Sequence, residues 1–518
     1  MTLPYLTDDC ILYILQSFQN NRSTLFNCLL VNRFWCKSTI PLLYANPFAN
    51  ITEKNLSIIL TLIFCFNEEE ILQLKNQLEL NQIDNINLDE EYKPLFEYPK
   101  FLEKYDFFTV NSVINNSLES YCSVSHGKIY YSIPIFHKSI LRQCRNLKQL
   151  DISSHVFDKH WFKNFNVQNF SSNLTKLDLL TLSFYLRGEG IENEFLNNIS
   201  NLCLNLRKLI VKFPEIVREM IPDNLFSVTT FEIVCTIIQG QNRLKIFKLE
   251  NCYSLLNNIL LSLEFQKHSL VNIDFTNSNF KEVNFNSFNN LYNLKYLRFE
   301  KCKGLIPDQC EILKFASFKL KKLLFVSNIW NADVTSSMVK YLGASLQRLL
   351  IENPPIENIS IYCLNLIFLK ITIDDHFDSS VVPYFRNLRT KMLNFNVLFY
   401  DTNFFLSLAN SIPINIKEIS IYIYFRNPNK FLRIKEFLEN CHNNFELINI
   451  GLNLDLKLLK VVLDYIERSN NSLKIFGMTK LDKKLKLEES KLLNIIKSKG
   501  VKIMEFDSIH SVYNVCKG

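Results

Sequence analysis

Glycine is scarce in this chain, only 10 of 518 residues. No phosphate-cradling G-x-x-x-x-G-K-[ST] loop is present, and the lone G-x-G at Gly188 and Gly190 lacks a third glycine and a following helix. The 14 cysteines include no C-x-x-C pair, and the N-terminus carries Asp8 and Asp9 where a secretory core would be apolar. Free thiols in a reducing, intracellular setting are expected, cytoplasmic or nuclear. The longest apolar run, Leu56 to Phe66, is too short to span a bilayer, so no membrane is expected. No block of five or six Lys/Arg occurs, so nucleic acid is not an expected partner.

Catalytic patterns are missing as well. There is no G-x-S-x-G elbow and no H-E-x-x-H helix. His155 and His160 flank Trp161, but a five-residue spacing places them on different helix faces. Cys302 and Cys310 fall in the repeat register described next, and Asp374, Asp375, His376 and Asp378 read as a polar turn. No enzymatic activity, cofactor or metal is expected.

What is present is apolar and periodic. Hydrophobic residues make up 47% of the chain, enough for a large core, and the formal charge of +7 is dispersed. An L-x-x-L-x-L frame recurs from Leu147, with starts at Leu174, Leu206, Leu244, Leu270, Leu294, Leu320, Leu346, Leu366, Leu388, Ile416, Phe445, Leu473 and Val501. The mean interval of about 27 residues lies in the leucine-rich-repeat range. Two further columns follow the frame: Asn precedes many starts (146, 173, 205, 293, 365, 387, 415, 444), and Lys or Arg follows many (148, 207, 245, 295, 321, 389, 417, 474, 502). Each unit predicts a short strand returning through a helix, such as one along Leu456, Leu459, Leu463 and Ile466. Such units stack into a parallel-sheet solenoid.

The N-terminal residues 1–48 form a separate apolar pattern: Leu6 to Leu15, then Thr24 to Cys36 as one helix capped at Ser23 or Thr24, then Pro41 to Tyr44. Leu6-Thr7-Asp8-Asp9-Cys10-Ile11, Val31-Asn32-Arg33-Phe34-Trp35 and Pro41-Leu42-Leu43-Tyr44 resemble the F-box. Thr7 stands where the family usually has Pro, and Asp9 where it has Glu. Cys252, Cys302 and Asn328, eight residues after their unit starts, and Cys144, Cys203 and Cys363, three before theirs, resemble the cysteine-containing leucine-rich repeats often paired with F-boxes, with a ribonuclease-inhibitor-like solenoid. Residues 49–145 read as a helical linker with irregular early repeats, including two helices between Thr52 and Leu80 broken near Asn67, and 146–518 as the solenoid.

The resemblance implies an α/β chain that is a substrate-recognition subunit of a cullin-type (SCF) ubiquitin ligase. Leu6, Ile11, Ile14, Leu15, Leu25, Leu29, Val31, Trp35, Leu42 and Leu43 would meet a Skp-type adaptor, and through it a cullin. The solenoid would hold a target protein. Its sheet-face positions run Asp151, Asp178, Ile210, Lys248, Asp274, Arg298, Leu324, Leu350, Lys370, one undefined position in the Leu388 unit, then Ser420, Asn449, Gly477 and Glu505. Lys248, Arg298, Lys322, Arg348 and Lys370 are the expected target-binding strip, suited to an acidic or phosphorylated segment. The alternative is a non-catalytic repeat scaffold or GTPase regulator with an N-terminal helical cap.

Overall fold

The computed structural model describes residues 7–49, 57–84, 86–89, 94–122, 125–154, 167–184, 191–215, 228–374, 377–398, 402–424, 430–481 and 486–509. The chain forms two compact units, Met1–Ser269 and Leu270–Gly518.

Met1–Ser269 opens with three helices, α1 (Asp8–Ser17), α2 (Arg22–Cys28) and α3 (Arg33–Tyr44). The single helix expected over Thr24–Cys36 is broken in two. The cause is local: the Asn21 side chain accepts from the Thr24 N–H at 3.0 Å and starts α2, while Asn32 accepts from the Trp35 N–H at 2.9 Å and starts α3. Two further helices, α4 (Ile58–Ile63) and α5 (Glu68–Leu78), lie either side of Asn67, as the sequence predicts. Asn67 and Glu70 close a capping box at the start of α5, and the buried Glu70 carboxylate accepts from Nε and Nη2 of Arg142 at 3.1 and 3.0 Å. Strands β1 (Gln82–Ile83) and β2 (Ile86–Asn87) make a small antiparallel ribbon.

The sheet of this unit is parallel and runs in chain order: β3 (Lys104–Asp106), β4 (Gln149–Ser153), β5 (Leu179–Ser183), β6 (Lys208–Lys212) and β7 (Ile246–Glu250). It therefore begins at Lys104, earlier than the first clear repeat in the sequence. Helices α6 (Phe107–Tyr121) and α7 (His126–Gln143) connect β3 to β4.

Leu270–Gly518 repeats the pattern with ten described strands, again parallel and in chain order. They are β8 (Asn272–Thr276), β9 (Tyr296–Glu300), β10 (Lys322–Val326), β11 (Arg348–Glu352), β12 (Phe368–Ile373), β13 (Met392–Val397), β14 (Glu418–Ile423), β15 (Leu447–Asn453), β16 (Ile475–Thr479) and β17 (Lys502–Glu505). Strands begin two residues after the frame's start in every unit but three. The exceptions are the units of Leu174, where β5 begins three residues later than that, Leu388, where β13 begins two later, and Val501, where β17 begins one earlier.

The three sequence columns have distinct physical jobs. The inward leucines and phenylalanines form the core: Phe275, Phe299 and Phe325 are buried and stack at 5.8 and 5.9 Å between ring centroids. The Asn column ties unit to unit, since the amides of Asn146, Asn365 and Asn415 donate to the carbonyls of Lys100, Ala344 and Thr390 at 2.7–2.9 Å. The basic column makes exposed cross-unit ion pairs, Lys148 with Glu103, Arg207 with Asp178 and Lys474 with Glu446. Cys252 and Cys302 lie wholly buried beneath the strand ends, and Asn328 takes the Cys302 N–H at 2.9 Å while donating to Phe299.

Scarce glycine is answered by asparagine. The residues just after β7 to β11 (Asn251, Asn277, Lys301, Ser327 and Asn353) all have φ between 41° and 60°, the left-handed region. Asparagine tolerates that conformation better than other non-glycine residues.

Candidate functional site

Two surfaces carry function in the sequence reading, the helical module and the sheet face. The module's core is small: Leu15, Leu25, Cys28 and Leu43 are buried, and Ile11, Phe18, Leu29, Trp35, Leu42 and Tyr44 pack around them half-buried. Leu15, Leu25 and Leu43 therefore hold the three helices together and are not presented to a partner, a correction to the adaptor-binding set. Trp35, Ile11, Leu29 and Leu42 lean on the same core, and Ile14 is half-buried. Of the residues expected to dock, Val31 is exposed, and Leu6 lies outside the described residues.

The exposed apolar side chains are mostly others. Tyr13 is 79% exposed and Leu30 78%, with Leu12, Phe26 and Val31 also exposed. They project from α1, α2 and the turn after α2. Amphipathic spacing alone could not find them, because the same residue types line the core, and only the break before Asn32 turns Leu30 and Val31 outward. These are five large exposed apolar side chains on one three-helix module.

This module is fixed to the sheet of its unit. Each strand there starts with two successive N–H groups donating to one carbonyl of the preceding unit: Lys148 and Gln149 to Glu103, Asp178 and Leu179 to Lys148, Arg207 and Lys208 to Asp178. Glu103 and Lys104 donate in the same way, at 2.9 and 3.1 Å, to Ala45, the C-cap of α3. The Arg22 guanidinium bonds the carbonyls of Asn46 and Pro47, and Tyr44 packs on Tyr98 at 4.5 Å.

On the sheet, residues two apart on a strand share a face. The register of Leu270–Gly518 sets a first row of Tyr296, Lys322, Arg348, Phe368 and Met392, and a second row of Arg298, Leu324, Leu350, Lys370 and Asn394. The expected strip is thus two rows rather than one. Lys248 lies in Met1–Ser269, in register with Ile210. Arg298 is engaged inside the chain, by Glu300 at 2.5 Å and Asp274 at 3.7 Å. The Lys322 ammonium sits 5.1 Å from the Tyr296 ring centroid, and Arg348 is exposed.

Between these cations lies an apolar cluster, of which the sequence shows only Leu324 and Leu350 as two isolated positions. Leu324, Leu350 and Phe368 pack together on the sheet face, with Tyr296 and Met392 against them. Leu324 is 2% exposed although it points away from the core, because neighbouring strands about 4.8 Å apart bring the rows into contact. Two other face positions are corrected. Asp178 lies before β5 in the rim ion pair with Arg207, and Thr181 takes the place opposite Asp151; Glu505 gives way to Met504, opposite Gly477. The undefined position is Asn394.

Of the catalytic candidates, Cys302, Cys310, Asp374 and Asp378 fall among the described residues. Burial pushes the Cys302 and Cys310 thiols up to about 12, which suppresses the thiolate a nucleophile needs. Asp374 accepts from the Asn353 amide at 2.7 Å, and Asp378 caps the Ser380 N–H at 2.8 Å. Asp375, His376, His155, His160, Trp161, Gly188 and Gly190 lie outside the described residues. A buried histidine that the sequence did not single out, His137, bonds the Tyr105 hydroxyl and stacks on Phe107, and burial lowers its pKa to about 3. Among the described residues no group of His, Cys, Asp and Glu could hold a metal, and no helix is long and apolar enough to cross a membrane.

By sequence, neither a family model nor a curated protein matches the chain. A chain from the crystal structure of the Rad7 and Elc1 complex in yeast is similar over 82% of this chain and 96% of that one, at 13% identity and a TM-score of 0.35, a distance at which it has no bearing on function.

Proposed function

We propose that the chain is a substrate receptor of a cullin-type ubiquitin ligase, in which α1–α3 act as an F-box on a Skp-type adaptor and the leucine-rich-repeat sheet holds a target protein. The observation that carries this reading is the exposed set Leu12, Tyr13, Phe26, Leu30 and Val31 on a module whose core is already closed by other residues. Apolar side chains with no role in holding the helices together are what a docking surface needs, and burying such anchors dominates association. No residue of this chain then performs chemistry. The receptor works by holding target lysines at high effective concentration near a ubiquitin-charged enzyme bound elsewhere.

Co-purification with a Skp-type adaptor tests the reading. The full chain is expected to bind, and Tyr13→Asp with Leu30→Asp to lose binding by about 100-fold or more at an unchanged melting temperature, since both positions are exposed. Absence of adaptor binding by the folded full chain would leave the repeat scaffold as the better reading.

A further inference from the structure

We propose that the β9–β13 face of Leu270–Gly518 holds an extended acidic and apolar segment of a partner protein, with Asn394 gripping the segment's main chain. The inference rests on the reading of the repeat sheet as the target-binding part.

The first observation is Asn394 itself. Its side chain is 1% exposed, and neither Oδ1 nor Nδ2 has a hydrogen-bond partner among the described residues; Oδ1 of Asn396, two residues on, has none either. Buried polar groups are nearly always satisfied, and an orphaned carboxamide weakens a fold. A carboxamide offers an acceptor and donors side by side, the complement of one peptide unit. The same face already shows the donor half of this pairing: Asn449 Nδ2 donates at 3.4 Å to the main-chain carbonyl of Phe506, at the start of the helical turn that seats Ile509 over Gly477.

The second observation is charge. The first two rows of β9–β13 contain Arg298, Lys322, Arg348 and Lys370 and no acidic residue. Lys322, Arg348 and Lys370 lie in the rows that hold the apolar floor of Leu350 and Phe368. From Leu350 on β11 to Asn394 on β13 is two strand spacings, about 10 Å, or roughly three extended residues. The segment thus carries a large apolar residue about three positions from the peptide unit on Asn394, with Asp or Glu beside it. Lys370, paired with Asn394 in the register, and Met392, two residues before it on β13, have unbranched side chains that would have to swing aside to admit it.

The test pans a phage-displayed dodecapeptide library on the full chain and measures enriched peptides by fluorescence polarisation. Acidic peptides with a spaced Leu or Phe are expected. Asn394→Leu is expected to weaken them about ten-fold while raising the melting temperature, because it deletes orphaned polar atoms. N-methylation of one peptide amide should cost the same in the wild type and nothing more in Asn394→Leu, and Arg348→Glu should weaken binding without altering melting. No enrichment, enrichment of basic peptides, undiminished binding by Asn394→Leu, or a lower melting temperature for it would each overturn the inference. Binding that needs removal of residues 510–518 would make the chain's own C-terminal segment the occupant and overturn it too. Adaptor co-purification in parallel keeps the two readings apart: adaptor binding without peptide binding sinks this inference alone, and peptide binding without adaptor binding sinks the receptor alone.

Discussion

In Met1–Ser269 the middle row of the sheet face runs Asp106, Asp151, Thr181, Ile210, Lys248; in Leu270–Gly518 the same row between β9 and β13 runs Arg298, Leu324, Leu350, Lys370, Asn394. Beneath both rows the inward residues are interchangeable: Leu150, Leu180, Leu209 and Phe247 in one, Leu297, Leu323, Leu349 and Leu369 in the other, all buried. The backbone ladder constrains the inward positions, because each must fill a fixed layer. It leaves the face free to diverge, and in a repeat protein specificity is written there. The acidic stretch also bears a cost. Burial and, second to it, the Asp106 charge push the Asp151 carboxyl up to about 6, against a weaker opposing pull from Lys212.

If the inward layer is equivalent in the two units, Leu209→Ala and Leu297→Ala should each cost about 2–5 kcal/mol by chemical denaturation; a large difference between them would break the equivalence. The faces should differ in pH response. Between about pH 4 and 6 folded Asp151 keeps a proton that the unfolded chain has lost, so its contribution to stability declines as pH rises through that window and is level above it. Asp151→Asn should therefore gain about 1 kcal/mol above pH 6, after allowance for its partial exposure, and nothing below pH 4; melting curves from pH 4 to 8 would show it. A smaller effect is expected after β9, where Lys301 holds φ 52°. Lys301→Asn should add about 0.5 kcal/mol, and a loss would mean that the lysine side chain matters more than its backbone. Smallest is Arg348→Glu, expected to stay within about 0.5 kcal/mol of the parent in the same denaturation assay because the side chain is exposed.

The repeat frame was legible because inward leucines at a fixed spacing are a strong signal, and the Asn and Lys/Arg columns reinforced it through cross-unit bonds. It slipped at Leu174 and Leu388, where the strand starts later and leucines before it mimic the frame, and by one residue at Val501. The slip at Leu388 hid Asn394. In the module the sequence gives helices and their apolar stripes, but not which stripe faces in. Leu15 and Leu30 are the same residue type, and only the packing of α1 and α2 on α3 buries one and leaves the other bare. The apolar floor of the sheet face was out of reach for a related reason: it joins Phe368 of one row to Leu324 and Leu350 of another, and that diagonal exists only in the register. Ala45 gave no signal at all, since its part is played by a main-chain carbonyl.

On the proposed receptor reading, that carbonyl has a further consequence. Strand β3 is an edge, and an unprotected edge invites another chain to pair with it. Because Ala45 receives Glu103 and Lys104 as the carbonyl of a preceding unit would, the end of α3 caps the start of that edge strand. A module joined by a slack tether would let its cargo wander through a wide volume; one bolted to the ladder works as a ruler. If an adaptor sits on Leu30 and Tyr13 as proposed, its distance to the β3–β7 face would be set by these hydrogen bonds. A target would then be marked according to where its lysines fall along that ruler as well as by what the sheet recognises.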